Sequence, residues 1–320
     1  CSLLITVRCL FPIVGIMTVE RICRRFTLRA TVAMGALLEV CSRLLFAAMS
    51  TFPAYCLASA MGGFAYSWAG TVPISLLIGR WFHARRGLAF GIGTTGSGIA
   101  TIIMPPLITA LIEQRSLSFA FYTEAAITAL ASLLILLLIR DRPEELGLLP
   151  YTAGEETKTM PRAANPERPI KCMQWCAMLL AVVMLAGPAG PGFSHLTVHF
   201  VSRGIPSASV AWLMTYLGIV LIFGKIFCGF LTDWLGGYRS NFIIGGALLG
   251  GMLLCSLSRS ASLILPAAAM TLLGAGLPMS SVSLVAWAQD LCGDAGYETA
   301  VSRFTLAYAT GSFLFSAIPG

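Results

Sequence analysis

Charge is scarce in this chain: Asp, Glu, Lys and Arg together make up 11% of its 320 residues, against 57% hydrophobic. A soluble domain uses roughly 25% charged residues to cover its water-facing surface. The shortfall excludes an ordinary soluble enzyme and a disordered segment. Acids are the scarcer sign, 14 against 21 basic residues, which leaves a net charge of +7. That excess does not point to nucleic acid, because the Lys and Arg sit in short clusters between apolar runs instead of on one patch. A cysteine framework is missing too. The 10 Cys are scattered, mostly inside apolar runs, with neither disulfide nor zinc spacing, and read as small buried hydrophobes. No cleavable signal pattern is present, and the chain opens and closes inside apolar stretches, as expected of part of a longer protein.

What is present is length in apolar residues, with a mean hydropathy of +0.83. A bilayer core of about 30 Å takes roughly 20 apolar helical residues. Ten such runs occur, at 1–19, 30–49, 53–79, 87–112, 117–139, 173–201, 207–232, 240–258, 261–288 and 298–320. The 32 Gly and 16 Pro would break soluble helices, but packed membrane helices tolerate both. The expected class is an all-α, multi-pass membrane protein.

If the first run descends into the cytoplasm, the basic residues fall mainly in cytoplasmic segments, and the outer turns hold only Arg115, Arg203 and Arg259. That asymmetry sets the orientation, with both ends at the outer face. Residues 140–171 are the only long polar stretch and carry six of the 14 acids. They are expected to form a cytoplasmic linker between an N-terminal bundle, 1–139, and a C-terminal bundle, 172–320.

The two parts echo each other. The first cytoplasmic turn runs from Ile16 through Glu20 and Arg21 to Arg24 and Arg25; the seventh run ends with Gly229, Asp233, Gly236, Gly237 and Arg239. Each places an acid four residues after its opening position and then a basic turn, as parallel repeats of a secondary transporter would. At these residues the chain resembles the major facilitator superfamily, whose loop signature is G-x-x-x-D-R-x-G-R-R. The second copy is good, whereas the first has Ile16, Glu20 and Cys23 where the signature has Gly, Asp and Gly. The resemblance implies a two-bundle fold in which the ten runs are helices two to eleven of twelve. It also implies a conformational latch at Glu20, Arg21, Arg24, Arg25, Asp233 and Arg239, with Asp233 facing the start of helix eleven near Arg303.

Three further stretches are similar to the monocarboxylate and oxalate-formate exchanger branch. They are Arg80-Trp81-Phe82-His83-Ala84-Arg85-Arg86-Gly87, Arg140-Asp141-Arg142-Pro143-Glu144-Glu145-Leu146-Gly147, and Ser194-His195-Leu196-Thr197-Val198-His199. The implied activity is alternating-access transport of a small organic anion, with a coupled proton or counter-anion.

Several residues are candidates for contact with that anion. Lys225 lies eight residues before Asp233, hence ~12 Å inside the helix end at 1.5 Å per residue. A cation at that depth costs on the order of 2.5 to 3.5 kcal/mol and is by default functional. In the exchanger branch the matching position, four residues before the signature Gly229, is basic and touches a substrate carboxylate. Arg8 is a second deep cation. Tyr66 and Trp68 lie on helix four, which lines the cavity in the family, and His195 sits on helix seven beyond the kink expected at 187–192. Glu39 and Arg43, spaced i, i+4, form a structural ion pair in this reading. His195 and His199 lack the further ligands of a metal site. Gly91, Gly93 and Gly96 match a dinucleotide fingerprint but lie inside an apolar run, where small residues serve helix packing. No metal or cofactor is expected, and the chain is read as a monomer in the plasma membrane. The alternatives are an exporter of drug-like amphipathic solutes and a non-transporting receptor or scaffold.

Overall fold

Each expected apolar run is mainly helical in the computed structural model, which describes residues 2–152, 172–258 and 262–316. Two helices open the chain, α1 (Ser2–Arg25) and α2 (Leu28–Ala48). The third run is broken at Gly70 into α3 (Phe52–Ala69) and α4 (Thr71–Trp81), and the fourth at Thr94–Thr95 into α5 (Arg86–Gly93) and α6 (Gly96–Gln114). After α7 (Leu117–Leu138) come α8 (Cys172–Gly187), a π-type turn at Pro188–Gly192, and α9 (Phe193–Ser202). Then follow α10 (Ser207–Leu235), α11 (Gly237–Leu257), α12 (Ile264–Gly276) and α13 (Val282–Ser316). Gly293, at φ 58°, divides α13 into the end of one crossing and the start of the next.

Nine helices among the described residues are long and apolar enough to cross a membrane, and they coincide with the first nine runs. The tenth run falls on α13 beyond Gly293, where Thr, Ser, Tyr, Glu298 and Arg303 dilute the apolar residues. Pro105 and Pro106 inside α6 and the turn Pro188–Gly192 are the helix-breaking residues that a membrane interior accepts once neighbours satisfy the freed groups.

Packing separates buried from lipid-facing positions. Phe90, Val282, Phe304 and Cys228 share one core, Phe200, Leu217, Met270 and Leu273 a second, and Val19, Leu28, Val72 and Leu76 a smaller third. Large side chains such as Leu138, Trp212 and Leu249 point outward, which suits acyl chains and not water. The first-run helix α1 packs on α3, and α2 on α3 and α7; α12 packs on α10 and α11, and α8 on α13. Across the chain's midpoint, α5 and α6 lie along α10, and α1 lies along α13.

The first part of the segment expected as a cytoplasmic linker, 140–171, is held against the helices. Both carboxylate oxygens of Asp141 accept from the first amides of α2, Leu28 N and Arg29 N, each at 2.9 Å. That caps a helix start with an anion, the favourable sign at that end. Trp81 Nε1 donates to Arg140 O at 3.1 Å, and Tyr151 pairs with Trp81 and His83 through the backbone. Residues 140–152 are therefore docked, while 153–171 lie outside the described residues.

Candidate functional site

The seam between α5–α6 and α10 is built from glycines. A Cβ at Gly91 would sit 2.5 Å from Lys225 O, and one at Gly229 only 2.3 Å from Gly87 O, so both positions admit a backbone and nothing more. Of the three fingerprint-like glycines Gly91 serves close helix approach, whereas a Cβ at Gly93 would meet only Ile78 Cδ1 at 3.4 Å and one at Gly96 nothing within 4 Å.

Lys225 lies on this seam and is 7% exposed. Its Nζ donates to Thr94 O at 2.9 Å and to Ser97 Oγ at 2.6 Å. The helix break supplies these acceptors. In an unbroken helix Thr94 O would take the amide of Gly98, but that amide goes to Thr95 O at 2.8 Å. No ion pair to Lys225 is found among the described residues. The ammonium is thus hydrogen-bonded by neutral dipoles and keeps its charge uncompensated.

Arg8 has a different setting. Its side chain is half exposed and lies 3.8 Å from Glu39. Arg43 bonds Glu39 at 2.7 Å, the expected i, i+4 pair, and also reaches Glu124 of α7 at 2.9 Å. Two cations and two acids therefore balance within α1, α2 and α7. Lys225 and Arg8 keep separate partners, and Lys225 is the less compensated.

The other candidates are dispersed. Tyr66, exposed, has its hydroxyl 3.4 Å from Thr71 Oγ1, while Trp68 Nε1 donates to Thr18 Oγ1 at 3.3 Å and packs on Phe64. Trp68 thus ties α3 to α1. His195 is half-buried on α9, and His199 Nε2 lies 3.1 Å from Cys255 O. A Cβ at Gly190, in the π-type turn, would meet Ser312 Oγ and approach Tyr308, so the turn faces α13.

At the signature end of α10, Asp233 accepts from Leu88 N at 2.8 Å and Gly87 N at 3.3 Å. These amides open α5, whose preceding residue Arg85 adopts the left-handed conformation at φ 54°. Asp233 thus caps the start of α5, a partner that the resemblance did not name. Arg303 lies over the Trp175 ring, 5.7 Å from its centre. Arg21, Arg25 and Arg239 are exposed, and the side chains of Glu20 and Arg24 lie outside the described residues. Substituting Asp233→Asn keeps a capping oxygen but removes the charge. It is expected to slow transport severalfold with normal membrane yield, read as initial uptake rates; transport equal to the parent's would show that the charge on this cap does not matter.

Comparison with known proteins agrees with this architecture. A family profile described as Major Facilitator Superfamily matches residues 1–316. Monocarboxylate transporter 12 of Xenopus laevis is 29% identical over 188 residues, which are 50% of this chain and 38% of that protein. The Fujikurins efflux protein of Gibberella fujikuroi is 24% identical over 179 residues, 56% of this chain and 36% of that one. Well under half of each relative's length is therefore matched. Among solved structures, the proton:xylose symporter XylE superposes with a TM-score of 0.71 at 14% identity, covering 99% of this chain and 78% of XylE. The helices and their breaks fit the fold of that solved structure, and the profile match over nearly the whole chain means that it belongs to the major facilitator superfamily.

Proposed function

We propose that the protein is a secondary active transporter that moves a small, monocarboxylate-like organic anion across the plasma membrane by alternating access. The observation that carries this reading is Lys225, a buried cation in mid-helix whose described partners are a carbonyl and a hydroxyl. A permanent acid would neutralise the site; neutral acceptors leave it ready for an anion that arrives and departs. Arg8, half exposed beside Glu39, is a second contact for the same anion, and Tyr66, Trp68 and His195 complete the candidate set. In this proposal residues 1–139 and 172–320 rock against each other along the α5–α10 and α1–α13 seams. Asp233, Arg239 and the first signature turn, Glu20 to Arg25, latch one of the two states. The likeness to monocarboxylate transporter 12 supports an anion as cargo.

The test is uptake of labelled lactate, formate and oxalate into proteoliposomes holding the full-length protein, with and without a proton gradient or a trapped counter-anion. Saturable uptake of at least one, abolished by an excess of unlabelled anion, is expected. The relative named as an efflux protein favours one second reading, export of larger amphipathic solutes. In that case all three anions would fail, and dye efflux would replace them.

A further inference from the structure

Away from the Lys225 seam, a cavity of about 320 Å³ opens on the face expected to be cytoplasmic. Its walls come from α4, the start of α5, the docked segment after α7, and α13, and include Arg80, Arg86, Arg142, Glu144, Tyr297 and Glu298. Arg86 is fixed in place: it donates to Phe82 O and Gln289 Oε1 and lies over the Tyr297 ring, 5.5 Å from its centre. Arg80 and Arg142 differ. Neither guanidinium has a hydrogen bond or an acid within 4 Å among the described residues, although Glu144 and Glu298 line the same cavity.

The position of Arg142 is built, not accidental. Asp141 beside it is anchored on the first amides of α2, Pro143 is buried, and Tyr151 beyond the cavity-lining Pro150 is paired to Trp81 and His83. The segment thus brings Arg142 into the lining of the cavity that Arg80 also lines. Three guanidiniums, two of them without an ion pair among the described residues, outnumber the two carboxylates that line the cavity, and guanidinium matches phosphoryl oxygens two at a time.

We propose that this cavity is a second, regulatory anion site that binds a phosphoryl group, on a soluble metabolite or a lipid headgroup, and so ties α4 and the segment after α7 to α13. The site is independent of the transported anion, and its test reads binding instead of transport. Pyrophosphate is titrated calorimetrically into the full-length protein in detergent, and thermal unfolding is followed in nanodiscs with and without phosphatidylinositol 4-phosphate. Pyrophosphate binding that raises the unfolding temperature is expected, weakened at least tenfold in the Arg80→Gln/Arg142→Gln double variant. Stabilisation by the lipid alone would assign the same site to a headgroup.

A gain-of-affinity variant guards against loss through misfolding. Glu144→Gln removes a repulsive carboxylate from the wall and should tighten binding about threefold, the size of one charge interaction across a solvated cavity. The proposal is overturned by any of three results: no response to either probe, undiminished binding in the double variant, or equal loss in Lys225→Ala, which would make the cavity part of the transport path.

Discussion

Lys225→Ala is expected to abolish anion uptake, by 100-fold or more, while membrane yield stays near that of the parent. The reasoning starts from cost. A cation inside a membrane helix is unfavourable by about 2.5 to 3.5 kcal/mol on insertion scales, and hydrogen bonds from a charged donor return roughly 1.5 to 3 kcal/mol each. Two such bonds, to Thr94 O and Ser97 Oγ, therefore suffice to keep the ammonium in place without any acid. Removing it leaves a carbonyl and a hydroxyl that have other local partners: Thr94 O already takes Ser97 N at 3.2 Å, and Ser97 Oγ donates to it at the same distance. The fold should therefore survive the loss, and the anion should not.

Lys225→Arg keeps the charge with a longer, planar head and should retain part of the uptake. Ser97→Ala removes one competitor for the ammonium and should lower the half-saturating anion concentration severalfold. A lysine that merely braced α10 against α5 would behave otherwise, with protein lost in both Lys225 variants and no change of affinity in Ser97→Ala. Uptake by Lys225→Ala at the parent's rate would sink the anion assignment.

The sequence made the membrane class and the helix positions readable because each rests on local information: apolar length and charge at the ends. Lys225 could be picked out for the same reason, as a charge in an apolar run. Its partners could not. Thr94 and Ser97 are ordinary small polar residues some 130 positions earlier, and only the break between α5 and α6 turns them into acceptors. Glu124 was hidden likewise, because its pairing with Arg43 crosses from α7 to α2.

Asp141 is a third case of this kind. In a polar stretch it reads as one more solvated acid, yet it caps α2 across 113 residues. Asp233 is similar: the backbone amides of Gly87 and Leu88 that it caps lie some 145 positions earlier, on α5.

Those same residues explain why the signature at α10 opens with glycine, and they yield the second large effect. A side chain at 229 would place its Cβ 2.3 Å from Gly87 O, 2.7 Å from Gly87 C and 2.9 Å from Leu88 Cα. All three are backbone atoms, so no rotamer change relieves the overlap and the two helices must part. Parting them draws Asp233 away from the amides it caps and loosens the seam on which Lys225 sits. In helix propensity alone Ala is favoured over Gly by about 1 kcal/mol, so any loss from Gly229→Ala is steric. Gly229→Ala is expected to cut uptake about tenfold and Gly229→Val to remove it, with thermal unfolding lowered in the same order. Gly246 supplies the control, since a Cβ there would meet nothing within 4 Å. Gly246→Ala should leave uptake unchanged and stability equal or slightly raised. If Gly229→Val carries anion as well as Gly246→Ala does, close contact between α5 and α10 at this end is not part of the transport cycle.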